Sequence, residues 1–464
     1  MKRLLLGAVT CGLAVACSGY DGESVQDNAE DLNATYVTSG GPLTKKSYAE
    51  PDEASRQQNT LDYYGTVKVV DTVFAAGTNE EFVLGTIATR LNTLSKFRGL
   101  YFDFLPGHFP PGSFPVEQTT YYYNRGDLGI GREMHCAESL PYQADQQLNT
   151  TNPSSGYIAC YVKNFAAGDD QSEFRFGLSQ NIAFTNMDAH NEFATVAMVM
   201  QLGSRANQKV FFAVYGKDGG LLKAAPLDRS GFNFALGLQD ESGTVGTPGV
   251  NFNNHIPSNC LNCHGGTYVA STKTVSKALF LPFDLNQFEY ESVANRTQNV
   301  QAPVFRKQNE YVKHVALLSG SAGNEVVLQT NGWYRNAASL RESLTGDFNP
   351  DYVPPGWDTD QARGVYANVV RPSCRGCHMT SQLFPFSSAA GFNTNLVIND
   401  LRALAMPHSL QAMREFWQSS KPASLANYFT TVAGASAGAQ VLAISPGSVV
   451  TLDPPSIMAS LVDN

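Results

Sequence analysis

The chain is short of several things, and each absence narrows what it does. No block of Lys and Arg stands out, and 32 basic against 41 acidic residues leave a formal charge of -9. With a pI near 5.4, such a surface repels phosphate, so nucleic acid is excluded as the expected partner. No run of about 18 uninterrupted apolar residues is present, so no membrane-spanning helix is expected. Nothing in bulk marks disorder or a fibre: 43% of residues are hydrophobic and 16% charged, as in ordinary soluble proteins. Cysteine is scarce, with eight in 464 residues. That length is enough to bury a large core and suggests roughly two or three domains.

The scarce cysteines are not scattered. Cys260 and Cys263 stand in SNCLNCHGG, directly ahead of His264; Cys374 and Cys377 stand in SCRGCHM, directly ahead of His378. Thiols at this spacing can reach the two neighbouring vinyl groups on one porphyrin edge, and the next residue's imidazole can turn onto the iron. Two CxxCH runs therefore predict two covalently attached haem c groups, with Cys260, Cys263, Cys374 and Cys377 as attachment residues and His264 and His378 as axial ligands. A thioredoxin-like pair would need neither the trailing histidine nor a second copy. Zinc held by the four cysteines would leave both histidines idle.

The N-terminus, MKRLLLGAVTCGLAVAC, has two positive residues, a short apolar run and small residues before Cys17, which reads as a secretory signal over 1–16. Its end resembles the cleavage motif of bacterial lipoproteins, in which the cysteine becomes the lipidated first residue; simple export is the alternative. The resemblance implies a bacterial envelope protein anchored to membrane through Cys17, facing the periplasm or the cell exterior, on a polar tether over 17–56. Cys136 and Cys160 then remain, and in an exported chain they are expected to form a disulfide.

The two attachment motifs and their flanks resemble the c-type cytochrome superfamily, over about residues 250–420. In small members a helix leads into the motif, and the sixth ligand is often a Met followed by Pro downstream. DQARGVYANVVR supplies that helix before Cys374, and Met406-Pro407 supplies the ligand, with His408 as its rival. For the first haem no methionine occurs between His264 and Met379. His314, on a predicted helix, is the candidate distal ligand; His255, His135 and His190 are alternatives. Gly265 and Gly266 would let backbone approach the porphyrin edge, and Phe280, Phe283 and Phe288 could cover the ring.

The expected architecture is a mixed α/β or β-rich N-terminal portion joined to a mostly α-helical dihaem cytochrome c-like portion. Residues 57–249 form the first, 250–420 the second and 421–464 a C-terminal extension with a strand-like tail. Helices are predicted from Thr78 or Asn79 and over APVFRKQNEYVKHVALLSG and SLQAMREFWQ; GYIACYVKNF and QKVFFAVYGKDGGLLKAAPL read as strands. EFATVAMVMQL fits a central strand or a buried helix. GDLGIG, at Gly126 to Gly131, reads as a bend rather than a dinucleotide site. Electron transfer between envelope redox partners, protein or small molecule, is the expected function. A dihaem peroxidase-like enzyme with one open iron, and Glu192 as its proton shuttle, is the second reading. A binding module that carries haem in its core is the third.

Overall fold

The computed structural model describes residues 34–38, 41–42, 53–71, 82–103, 116–139, 156–165, 180–202, 206, 209–223, 255–334, 344–380, 386, 388–392, 394–403, 410–417, 419–444 and 449–451. Cys17, Met406 and His408 lie outside them, as does the signal segment. Within the expected tether, Ala34–Thr38 forms a strand paired with Gly41–Pro42 and with Val449–Thr451, a correction that follows from its β-branched content.

Helix α1 (Glu53–Thr66) leads into strand β1 (Lys68–Asp71), which pairs with β2 (Phe82–Thr86). The start of the helix expected from Thr78 or Asn79 lies outside the described residues; its described part is strand over Phe82–Thr86 and helix over Ile87–Arg90. Gly85 takes a φ of +146° beside a register shift between Val69 and Val70, and pairing overrides the helical spacing of the apolar residues. Helix α2 (Leu94–Tyr101) follows, its N-terminus capped by Thr93, whose hydroxyl accepts from the Lys96 amide.

An antiparallel meander then runs through β3 (Gln118–Asn124), β4 (Ile130–Glu138), β5 (Tyr157–Phe165), helix α3 (Gln180–Asp188), β6 (Ala194–Gln201) and β7 (Val210–Gly216). GDLGIG is the β3–β4 turn and the start of β4, as read. EFATVAMVMQL is the inner strand β6. Its neighbour β7 is buried at every position, so the polar–apolar alternation that would have marked a strand is missing. Among its described residues, the second half of QKVFFAVYGKDGGLLKAAPL makes isolated bridges, Tyr215 to Leu221 and Thr93 to Gly220.

Side chains cover the edge strand β7 and part of the outer side of β3. At β7, Tyr63 and Tyr64 accept from the amides of Phe212 and Val214 at 3.0 and 3.2 Å. At β3, Gln301 exchanges bonds with the Tyr121 backbone and Gln308 donates to the Gln118 carbonyl. These contacts satisfy edge groups that would otherwise invite another chain.

Helix α4 (Ser258–His264) carries the first motif, and β8 (Phe288–Glu289) adds a sixth strand beside β3. The glutamines belong to α5 (Gln298–Leu318), followed by α6 (Asn324–Trp333). One hydrophobic core takes residues from Tyr63 to Val327, on both sides of the connection near residue 250. A second core, centred on Trp357, Tyr366, Phe392, Phe416 and Phe429, gathers the later helices.

The expected lead-in helix is α7 (Asp360–Val365), capped by Thr359 and continued by a wider turn over Tyr366–Val370 and by Arg371–Ser373. It runs through Pro372 to the second motif rather than ending there, and α8 (Arg375–His378) follows. Helices α9 (Leu410–Trp417), α10 (Lys421–Ala433) and α11 (Ala435–Ile444) complete the second core. Helix α11 corrects most of the strand-like tail: its Ala content and buried Ala437, Val441 and Ile444, at helical spacing, favour a helix. Among the described residues no helix is long and apolar enough to cross a membrane.

Candidate functional site

The two motifs, far apart in sequence, meet. In α4 the amide of Cys260 donates to the Pro257 carbonyl at 2.9 Å, which starts the turn. The helix stops at Gly265, whose φ of +62° suits glycine. His264 is then held twice by one residue. Its carbonyl accepts from the Leu279 amide at 2.9 Å, and its ring Nδ1 lies 2.8 Å from the Leu279 carbonyl oxygen. A carbonyl only accepts, so Nδ1 carries the proton and Nε2 keeps its lone pair. Burial pushes the His264 ring down to about 4, so it is neutral at physiological pH. A neutral, oriented imidazole with a free Nε2 is what an iron ligand requires.

The second motif is anchored through the residue between its cysteines. Arg375 is 1% exposed; it donates to Asp284 through Nε at 2.8 Å and through Nη2, and to the Tyr366 hydroxyl at 3.2 Å. Its guanidinium also lies 5.1 Å from the Trp333 ring centre. Asp284 comes from the segment after the first motif, so this buried pair ties one motif's surroundings to the other. His378 packs on Phe386 with ring centres 4.5 Å apart, and burial pushes it down to about 4 as well. Met379 turns into a separate cluster with Trp333, Tyr334 and Leu344.

Where α4 and α8 touch, the Sγ atoms of Cys263 and Cys377 are 3.6 Å apart. The Thr380 hydroxyl donates to the Cys263 carbonyl. A Cβ on Gly265 would collide with the Thr380 carbonyl oxygen, and one on Gly266 with that of Ser276. The two glycines therefore admit protein backbone, a role different from the expected approach to a porphyrin edge. Burial pushes the Cys260 and Cys374 thiols up to about 12, and the hydrogen bond from Cys377, with burial, raises the free thiol of Cys263 as well. Among the described residues, no three Cys, His, Asp or Glu side chains gather in a way that could hold a metal ion. The four-cysteine zinc arrangement therefore has no support.

Beside this contact lies a cavity of about 320 Å³, at the lower end of the range for small-molecule sites. One wall is a face of the sheet, with Arg132 and Met134 on β4, Val162 and Asn164 on β5, and Val196 and Met198 on β6. Their spacing of two along each strand puts them on one side, and the register aligns Met134, Val162 and Val196 in a row. Cys260, Cys263, His264 and Cys377 also line the cavity, with Phe280 and Phe283 from the segment after the first motif and Phe288 from strand β8, stacked on Tyr122 at 4.0 Å. The three phenylalanines thus stand where a flat group attached at the first motif would need cover.

The donor set fits a haem on three counts. His264 is oriented and neutral, the walls are mainly apolar, and Arg132 Nε and Asp127 Oδ1 are buried cavity-wall atoms without a hydrogen-bond partner among the described residues. Arg132 otherwise pairs with Asp127 and donates to Asn164 at 2.8 Å.

The structure sets the candidate distal histidines apart from this cavity. His314 is 2% exposed and its Nδ1 faces the Glu138 carboxylate. His135 projects from the other side of β4, stacked on Tyr161 at 4.3 Å and bonded to Glu117, Thr119 and Glu133. His255 bonds Ser258 and packs on Tyr268. His190 is exposed beyond α3, and neither it nor Glu192 lines the cavity. Met134 and Met198, the cavity's soft donors, escaped the sequence reading, because a search downstream of the motif passes over strands that precede it. The expected disulfide is present: Cys136 and Cys160 face each other across β4 and β5 and are bonded. No known protein family, curated protein or solved structure matches the chain.

Proposed function

We propose that the chain is an exported dihaem c-type cytochrome that transfers electrons between redox partners of a bacterial envelope. The observation that carries this reading is the docking of the two CxxCH helices with Cys263 and Cys377 3.6 Å apart. Each sulfur, as a thioether, would mark one edge of its own haem, so the two attachment edges would adjoin and the sites would act as one path. Bound haem supplies a one-electron iron couple; the chain supplies the rest.

His264 and His378 offer neutral imidazoles from the proximal side. Met134 or Met198 is the candidate thioether for the first site, displacing His314 from that role, and Met406 is the candidate for the second, with His408 as rival. Phe280, Phe283 and Phe288 exclude water, which favours the reduced, less charged state. The Cys136–Cys160 disulfide supports an oxidising, extracytoplasmic location. A lipid at Cys17 would hold the protein at a membrane. A protein or small-molecule partner would exchange electrons at an exposed haem edge through a transient contact.

Spectra resolving spin state and axial ligation for each haem test this reading. Two six-coordinate low-spin irons with no peroxide turnover are expected; a high-spin iron with turnover overturns it. The peroxidase-like reading draws on one observation: Arg132 and Asp127 place a charged pair in the wall of the first cavity, where an open iron would need groups to handle protons.

A further inference from the structure

We infer that Cys263 and Cys377 form a latent disulfide, which closes in an oxidising compartment if the two CxxCH helices dock before haem is attached. The sulfurs are already 3.6 Å apart across 114 residues of sequence. The Thr380–Cys263 contact, the close approach at Gly265 and the buried Arg375–Asp284 pair fix the helices that present them. Among the described residues no third Cys or His joins the pair in a metal-like cluster, so within the docked fold each sulfur's near partner is the other. The chain's own Cys136–Cys160 bond points to surroundings in which thiols are oxidised.

The step balances simply. Two S–H bonds break and one S–S bond forms; two protons pass to solvent, and two electrons reduce a disulfide oxidant, such as an oxidised dithiol carrier, to its thiols. A sulfur in this bridge cannot also bond a vinyl carbon. The consequence, which rests on the dihaem reading, is an order of maturation: haem attachment precedes docking of the motifs, or a reductant must reopen them. Packing of α4 against α8 slows the reverse reaction, because the thiolate of a reductant must reach a sulfur of the bridge.

The test is a non-reducing peptide map of the full chain made without haem attachment, incubated with oxidised glutathione and alkylated before digestion. The Cys136–Cys160 link in the same sample reports that the sheet has paired. The expected result is a Cys263 peptide joined to a Cys377 peptide, lighter by two hydrogens than the free pair. C260S/C374S should keep that link, and C263S should abolish it and leave Cys377 alkylated. Repeating the map after reduction in denaturant and refolding with the same reagent covers a chain that left the cell unfolded. Free Cys263 and Cys377 in both preparations, or bonds confined within each motif, overturn the inference. Porphyrin mass on the matured chain is read separately: a bridged haem-free chain whose matured form carries no porphyrin keeps this inference and ends the dihaem reading, and the opposite pair of results does the reverse.

Discussion

The two CxxCH sites share a motif and differ in almost everything around it. The first sits under a β-sheet, its histidine clamped by the Leu279 backbone and its cavity walled by strands that precede it by many residues. The second sits at the end of a long helix, inside a helical core, with Phe386 against its histidine. A short attachment motif therefore prescribes covalent chemistry and little else; the surroundings decide the distal side and the polarity. Here one surrounding is a sheet and the other a helix cluster, and under the dihaem proposal the two irons should have unlike potentials.

The largest effect separates the sites outright. Replacing Cys260 and Cys263 with Ala should remove one haem per chain and leave the other, and Cys374 with Cys377 should do the same at the second site. Mass spectrometry and absorbance per chain read this directly. Loss of both haems from either variant would show that the two sites are not independently matured.

Next comes the tie between them. D284A leaves the Arg375 guanidinium buried without its counter-charge, and a loss of about 3–5 kcal/mol in denaturant unfolding is expected. A loss within about 0.5 kcal/mol, the range of ordinary surface changes, would mean the motifs are not joined by this pair.

The back of the sheet makes the contrast with its cavity face sharper. Burial opposes ionisation of Glu133, but hydrogen bonds from His135 and Lys163 outweigh it and bring the carboxyl from 4.5 down to about 2. A depressed carboxylate stabilises the fold above its unfolded value, and that contribution is lost as pH falls through the folded one. E133Q should therefore cost up to about 3 kcal/mol near neutral pH, and the gap to the parent should close between pH 4.5 and about 2. A gap independent of pH would count against this account of the cluster.

The smallest effect on stability falls on the cavity face. M134L and M198L conserve volume and should each cost less than about 1.5 kcal/mol. One of them should nonetheless abolish a sulfur–iron absorption band of the first haem and lower its potential; the other should leave both unchanged. If neither moves the spectrum, the sheet supplies no ligand.

Much of this was legible from residues alone, for identifiable reasons. The two CxxCH runs are local in sequence, so Cys260 to His264 and Cys374 to His378 could be picked out as candidates without a fold. The Cys136–Cys160 pair was expected on the export reading, and the register of β4 and β5 places the two directly opposite. The meeting of the motifs could not be read, because it depends on Asp284 reaching Arg375 across 91 residues. Nor could Met134 or Met198, since a methionine in an apolar strand looks like any core residue until the rest of the cavity lining is known. The strand Phe82–Thr86, within the span expected to be helical, has the same origin: tertiary pairing with Lys68–Asp71 outweighed a helical pattern, which holds only over Ile87–Arg90.

The central claim is that two porphyrins are bonded to this chain through sulfur. Its most direct measurement is the mass of the mature, denatured protein made with haem-attachment machinery. The account predicts two haem masses per chain that survive denaturation, mapped to the peptides of Cys260 and Cys263 and of Cys374 and Cys377. A chain at its bare polypeptide mass, or haem that washes away on unfolding, would contradict it.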